Sequence, residues 1–106
     1  MNADERAALL RFKELLQRVF PDAQVLLFGS RARGDADQVS DFDVLVILET
    51  SDLCEVRKYA SECAWEAGFE GGIVIVPFVV SRDRWERGPE RYSLLAKAVR
   101  DEGIPI

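Results

Sequence analysis

The chain has 106 residues, 48% of them hydrophobic and 31% charged, and its formal net charge is −5 at pH 7. This length supports one hydrophobic core, so we expect residues 1–106 to form a single domain. The acidic balance argues against a protein that coats nucleic acid, and no apolar run is long enough to cross a membrane. The N-terminus lacks the basic-then-apolar order of a signal peptide, so a cytoplasmic location is the expectation.

Histidine is absent from the sequence, which excludes Ser-His-Asp and Cys-His nucleophilic mechanisms and all His-ligated metal sites. The two cysteines, Cys54 and Cys63, lie nine residues apart on an expected helix and therefore on opposite sides of it. They cannot bridge each other there, and we expect both to be buried free thiols in a reducing compartment.

The first expected helix begins after Asn2, which forms a capping-box pattern with Glu5, and it ends at Pro21. Two strands rich in Val, Leu and Phe follow, Gln24–Phe28 and Phe42–Leu48. The apolar residues that recur at helical spacing in the first helix are Leu9, Phe12, Leu16 and Val19.

A second helix is expected to begin at Ser51 or Asp52 and to end at Gly68, and a third strand to span 72–80. Pro77 inside that strand predicts an edge position or a bulge. Trp65, on the second helix, is expected in the core.

A short helical turn should begin at Ser81, and a last helix should run from about Glu90 to Asp101, with Gly103 just past its end. The apolar residues of that helix are Leu94, Leu95, Ala98 and Val99. The predicted order is helix, strand, strand, helix, strand, short helix, helix. It favours an α+β domain with helices packed on a short sheet. Whether Trp85 and Tyr92 lie in the core or on a partner surface stays open.

Four aspartates and two arginines lie within residues 29–43, which cover the loop between the first two strands and the start of the second strand. A phosphate-binding P-loop is excluded because Asp35 stands where the lysine belongs. A dinucleotide fingerprint needs three glycines, which the loop does not supply. A calcium loop starting at Asp35 fails because Val39 and Val46 occupy ligand positions.

Within this segment, the spacing of Asp41 and Asp43 is the feature that indicates a metal site. Side chains alternate along a strand, so the two carboxylates should share one face, with their Cα atoms about 7 Å apart. Such a pair repels unless a cation lies between its members. It suits Mg²⁺, which takes one or two carboxylates and completes its octahedron with water and substrate phosphate.

An anion site is expected upstream of this pair. Gly29 allows the backbone to approach a ligand closely, and Ser30 with nearby N–H groups can hold an anion. Arg33 or Arg31 could add forked donors to it. Phosphate and metal side by side are what transfer from a nucleoside triphosphate requires.

The motif GSRARG at 29–34, followed by SDFDVLV from Ser40, closely resembles the signature of minimal nucleotidyltransferases of the DNA polymerase β-like superfamily. The resemblance implies that superfamily's α+β fold, a short mixed sheet flanked by helices. It also implies that Gly29, Ser30 and Arg33 bind the triphosphate. Asp41 and Asp43 would then hold Mg²⁺ and direct an acceptor hydroxyl onto the α-phosphate, with release of pyrophosphate.

The same resemblance implies transfer of AMP from ATP to a hydroxyl of a partner protein, with a HEPN-domain protein as that partner and this chain as its antitoxin. Active members usually carry a third carboxylate on a later strand, but GGIVIVPFVV contains no acid. We align that position near Val74, with Glu70 just before the strand and Asp83 just after it. A catalytically weak or inert relative, acting by partner or nucleotide binding, is therefore the alternative.

Association with another chain is a further expectation. The domain is small, and the expected edge strand around Pro77 is apolar. We therefore expect the protein to work as a homo-oligomer or with a partner.

Overall fold

The computed structural model describes residues 1–34, 41–89 and 93–106, with Ser30 and Arg33 described in their backbone alone. Its helices are α1 (Ala3–Gln17), α2 (Ser30–Arg33), α3 (Leu53–Gly71), α4 (Arg82–Arg87) and α5 (Leu94–Glu102). Its strands are β1 (Gln24–Phe28), β2 (Phe42–Leu48), β3 (Ile75–Ser81) and β4 (Ile104–Pro105). None of the described helices combines the length and apolar character needed to span a bilayer.

Within the described residues, the four strands form one mixed sheet in the order β3-β2-β1-β4. β1 is antiparallel to β2 and to β4, whereas β2 and β3 are parallel. β3 is thus an edge strand among the described strands, as Pro77 predicted. The predicted α+β fold, a short mixed sheet flanked by helices, is confirmed.

The two faces of β2 pack against different layers because its side chains alternate. Phe42, Val44 and Val46 join the main core, which is closed by α1 and α3. Leu45 and Ile47 join a smaller cluster that includes residues of α4 and α5. Because β2 is buried on both faces, its sequence is apolar at every position from Val44 onward. By the same alternation, Asp43 belongs to the face of the smaller cluster.

The start of α1 is as predicted, but its end is not. The Asn2 side chain accepts the Glu5 N–H at 2.8 Å, and the Glu5 carboxylate accepts the Asn2 N–H at 2.8 Å. The helix ends at Gln17, before Pro21, because its last turn tightens and the Val19 N–H bonds to the carbonyl three residues back. Val19, predicted to continue the apolar stripe of this helix, therefore lies beyond the helix and is exposed.

The predicted end of α3 at Gly68 is wrong, because the helix continues to Gly71. Gly68 lies inside it, where a Cβ would come within 2.5 Å of the Ile73 carbonyl oxygen, so the glycine permits a close approach rather than a turn. Gly72, with φ of +70°, ends the helix in the left-handed conformation. This delays the start of β3 to Ile75.

Two expectations on burial are wrong. Trp65 is 71% exposed, and Cys54 is exposed while Cys63 is buried. The last helix begins at Leu94, capped by Ser93, rather than near Glu90; Glu90 and Tyr92 lie outside the described residues. Neither the single turn α2 nor the two-residue strand β4 was expected from the sequence.

Candidate active site

Gly29 and Asp43 are in direct contact where β1 ends and β2 begins. Phe28, the last residue of β1, pairs with Asp43 across the antiparallel ladder. Gly29 follows with φ of +79°, a conformation that favours glycine. A Cβ on Gly29 would lie 2.8 Å from Oδ2 of Asp43, closer than a carbon and an oxygen can approach without displacement. A glycine is therefore required for the backbone turn to lie against this carboxylate.

The two aspartates repel each other in the absence of a cation. Asp41 is exposed just before β2, and Asp43 is half-buried within it. Burial raises the pKa of the Asp43 carboxyl above its ordinary value, and the negative charge of Asp41 raises this pKa further. Both effects penalise the ionised form of Asp43, and a bound cation would relieve them.

Arg31 holds α2 against the rest of the domain. Its guanidinium lies 4.3 Å from the centroid of the Phe42 ring, and its Nη1 atom lies 3.3 Å from Oε2 of Glu5. The Arg31 side chain is mostly buried in this position. Of the two arginines considered for phosphate, Arg31 is therefore engaged with protein groups. The side chains of Ser30 and Arg33 lie outside the described atoms.

The donor set around the pair suits a cation that needs few protein ligands. Among the described residues, no group of three or more Asp, Glu, His or Cys side chains is arranged to hold a metal ion. Asp35 and Asp37 lie outside those residues. Two carboxylates fit Mg²⁺, because this ion keeps several waters and shares substrate phosphate oxygens.

The parallel neighbour of the aspartates is aliphatic. Val76 pairs with Asp43 in the β2–β3 register, and the Phe42 N–H donates to the Val74 carbonyl oxygen at 2.8 Å. Val74 therefore lies beside Asp41, where the sequence alignment put the missing acid, and Val76 lies beside Asp43. The sequence reasoning missed Val76, because parallel register cannot be read without knowing which residues of the two strands pair.

The two acids that flank β3 serve elsewhere. Glu70 lies on α3 and pairs with Arg11 of α1 at 3.5 Å. Asp83 lies on α4 and pairs with Arg87 at 3.0 Å. Neither contact is with the aspartate pair, so neither acid supplies the third carboxylate in this structure.

The comparisons with known proteins agree with this geometry. A family model described as nucleotidyltransferase domain matches residues 9–97, which is most of the chain. A putative protein adenylyltransferase of Methanocaldococcus jannaschii is 30% identical over 73 residues, covering 67% of this chain and 74% of the relative. A terminal uridylyltransferase of Schizosaccharomyces pombe is 37% identical over 71 residues, covering 64% of this chain. The match spans 17% of that relative's own length.

A chain of known structure shares the fold. A chain of a crystal structure described as a toxin-antitoxin with AMP-PNP superimposes with a TM-score of 0.60, over 91% of this chain and 69% of that chain. Its sequence identity of 20% supports the fold alone. Together with the family match, the resemblance to minimal nucleotidyltransferases is confirmed. This chain belongs to the nucleotidyltransferase domain family.

Proposed function

We propose that the protein is a Mg²⁺-dependent nucleotidyltransferase that moves a nucleoside monophosphate, AMP from ATP, onto a hydroxyl of a partner protein. The observation that carries this proposal is the contact between the Gly29 turn and the Asp43 carboxylate. It brings a backbone suited to phosphate next to a carboxylate suited to a metal. The name of the Methanocaldococcus jannaschii relative, a putative protein adenylyltransferase, supports AMP and a protein acceptor.

In this proposal, different residues bind the triphosphate and the metal. Gly29, Ser30 and Arg33 hold the triphosphate, and Asp41 and Asp43 are the catalytic pair that binds the metal. Bound Mg²⁺ supplies charge neutralisation and polarisation of the phosphate oxygens. The acceptor hydroxyl forms a bond to the α-phosphorus and releases its proton to solvent, while the bond to the bridging oxygen breaks and pyrophosphate leaves.

The partner in this proposal is a HEPN-domain protein, and this chain is the antitoxin of the pair. Two observations support it: the GSRARG and SDFD signature, and the fold shared with a chain of a toxin-antitoxin structure.

Val74 and Val76 favour a second candidate, a catalytically inert relative that binds nucleotide or partner. Both positions beside the aspartates are aliphatic. Losing one carboxylate from a metal site removes transition-state stabilisation and should slow transfer by orders of magnitude, about 10²-fold or more.

Transfer of label from ATP labelled at the α-phosphate, onto the HEPN-domain product of a neighbouring gene, separates the two candidates. Incorporation by the wild type that Asp43→Asn abolishes supports the transferase. ATP binding that needs Mg²⁺, without incorporation, supports the inert relative. Absence of both ATP binding and incorporation contradicts the transferase and the nucleotide-binding form of the inert relative.

A further inference from the structure

Glu5 uses its two carboxylate oxygens for two different contacts. Oε1 accepts the N–H of Asn2 at 2.8 Å, which closes the capping box at the start of α1. Oε2 lies 3.3 Å from Nη1 of Arg31, a residue of α2 that follows 26 positions later in the chain. Capping requires only the first contact. The second contact ties the start of α1 to the turn that follows β1.

The pair between Glu5 and Arg31 is largely shielded from solvent. The two side chains are 17% and 14% exposed. At the other end of α1, both side chains of the pair between Arg18 and Glu14 are more than half exposed. Such exposed pairs contribute little, because water screens their charges. Removal of one partner from a shielded pair has a larger effect, since the remaining charge is poorly solvated.

Arg31 connects Glu5 to both halves of the candidate site. It lies two residues after Gly29, within the single turn α2. Its guanidinium also lies 4.3 Å from the ring centroid of Phe42, the residue between Asp41 and Asp43. A displaced guanidinium would therefore change contacts of the turn and of the start of β2 together.

The carboxylate of Glu5 fixes the direction of this guanidinium. A cation above an aromatic ring is held by its distance from the ring face and can still turn about the ring axis. A carboxylate that accepts from Nη1 removes this freedom, because the donors of a guanidinium have a fixed geometry. Phe42 and Glu5 together therefore define both the height and the direction of the Arg31 side chain.

We propose that Glu5 is a positioning residue for the nucleotide site and acts through Arg31. Glu5 holds the guanidinium in place over Phe42, and the guanidinium holds the Gly29 turn next to the Asp43 carboxylate. Glu5 is assigned no contact with nucleotide or metal. That the positioned turn binds a triphosphate rests on the function proposed above.

A role limited to capping α1 makes a different prediction. Substitutions of Glu5 and of Asn2 would then lower stability alike and leave the candidate site unchanged. Asn2→Ala is therefore the matched control. It removes the side chain that accepts the Glu5 N–H, but it keeps the backbone N–H that donates to Glu5, so the contact with Arg31 is retained.

Glu5→Gln separates the two contacts of the carboxylate. Glutamine is accepted in capping boxes, but its amide has one acceptor oxygen and cannot serve both Asn2 and Arg31 as the carboxylate does. Isothermal calorimetry with Mg²⁺ measures ATP binding by both variants. We expect Glu5→Gln to bind ATP about tenfold more weakly than the wild type, and Asn2→Ala to stay within about twofold of it.

Amide resonances recorded without nucleotide or metal give a readout that does not depend on ATP. In a ¹H–¹⁵N correlation spectrum, Glu5→Gln should shift the signals of Gly29 and Asp43, whereas Asn2→Ala should leave both signals in place. In the background of Arg31→Ala, Glu5→Gln should shift neither signal, because the residue through which Glu5 acts has been removed.

The proposal is overturned if Glu5→Gln keeps the ATP affinity of the wild type, or if Asn2→Ala loses as much affinity. Shifts of Gly29 and Asp43 that persist in Arg31→Ala also overturn it, because Glu5 would then act by another route. The proposed function fails separately. Amide shifts as expected, in a wild type that binds no ATP, would support the positioning of the turn and contradict the function.

Discussion

At the scale of single residues, the backbone of Gly29 and the carboxylate of Asp43 constrain each other. The positive φ of Gly29 turns the chain out of β1, and the missing side chain leaves room for Oδ2 of Asp43. A phosphate that follows the turn would thus lie beside the carboxylate rather than be separated from it by a side chain. A glycine that combines a positive φ with a close approach to another group is typical of a binding turn.

We expect Gly29→Ala to destabilise the fold by about 1–2 kcal/mol, from the left-handed backbone alone, and to abolish ATP binding by displacing Asp43. Gly72→Ala is the matched control, since Gly72 has φ of +70° with nothing within 4 Å of its Cβ position. It should lose similar stability and keep ATP binding. Urea denaturation and calorimetry measure the two effects. Unchanged ATP affinity in Gly29→Ala would contradict the role of this turn.

Asp43→Asn should stabilise the metal-free protein at neutral pH. Burial, and then the charge of Asp41, raises the pKa of Asp43 in the folded state, so ionisation above that pKa weakens the native state. Below the unfolded value of 3.8 the side chain is protonated in both states, and the advantage of asparagine should disappear. Denaturation curves of both proteins in EDTA, from acidic to neutral pH, check this. The explanation is contradicted if the stability advantage of Asp43→Asn over the wild type grows as the pH falls.

At the scale of elements, α2 is a single turn that depends on Arg31 for its place. The guanidinium stacks on Phe42 of β2 and pairs with Glu5 of α1, so it joins three elements next to the site. An ammonium group cannot stack as a plane on the ring or present forked donors. The identity of this arginine should therefore matter more than its charge.

We expect Arg31→Lys to destabilise the fold by about 1–2 kcal/mol and to weaken ATP binding. Arg18→Lys is the control, because Arg18 forms an exposed pair with Glu14 whose loss should change stability by about 0.5 kcal/mol or less. Thermal unfolding and ATP titration of both variants measure this. If Arg31→Lys has the stability and the ATP affinity of the wild type, a positive charge alone is sufficient to hold α2 in place.

The neighbouring strand β3 gives a second element-scale prediction. Val76→Asp should add a carboxylate directly beside Asp43 and raise Mg²⁺ affinity or nucleotide transfer. The exposed Val74, beside Asp41, is the alternative position and should tolerate an acid with little loss of stability. Val76→Asn is the control, since it adds a polar side chain of similar size without charge. An Asp variant that binds Mg²⁺ no better than the Asn variant would contradict the register argument.

Sequence patterns were sufficient for β1 and β2, whose apolar runs end at turn residues, and for the capping box of α1. They failed for Trp65, whose large apolar side chain suggested a core position although its place on α3 exposes it to solvent. The buried residues of α3 are small and recur at helical spacing; they are Val56, Ala60, Cys63, Ala64, Ala67 and Gly68. Trp65 does not belong to this stripe. α2 and β4 are too short to produce a periodic pattern, and β4 owes its existence to pairing with β1.

The candidate site was predictable in part. The SDFD spacing placed Asp41 and Asp43 at the start of a strand, and the glycine preceding Ser30 placed the turn. The contact between the turn and Asp43 depends on antiparallel register, and the position of Val76 depends on parallel register. Both are tertiary facts that a single sequence does not contain.

At the scale of the whole molecule, one face of the sheet packs into the larger hydrophobic core and the other carries the candidate site. α1 and α3 cover the first face with the larger apolar cluster. The second face carries the smaller cluster and Asp43 at the end of the β2–β3 pair.

The central claim is that Gly29, Asp41 and Asp43 form one site for a nucleoside triphosphate and a divalent cation. Isothermal calorimetry of ATP binding, with Mg²⁺ and with EDTA, tests it most directly on the wild type and on Asp41→Asn with Asp43→Asn. The account predicts wild-type binding that requires Mg²⁺ and is lost in the double variant. ATP binding of equal affinity in the double variant, or wild-type binding indifferent to EDTA, would contradict it.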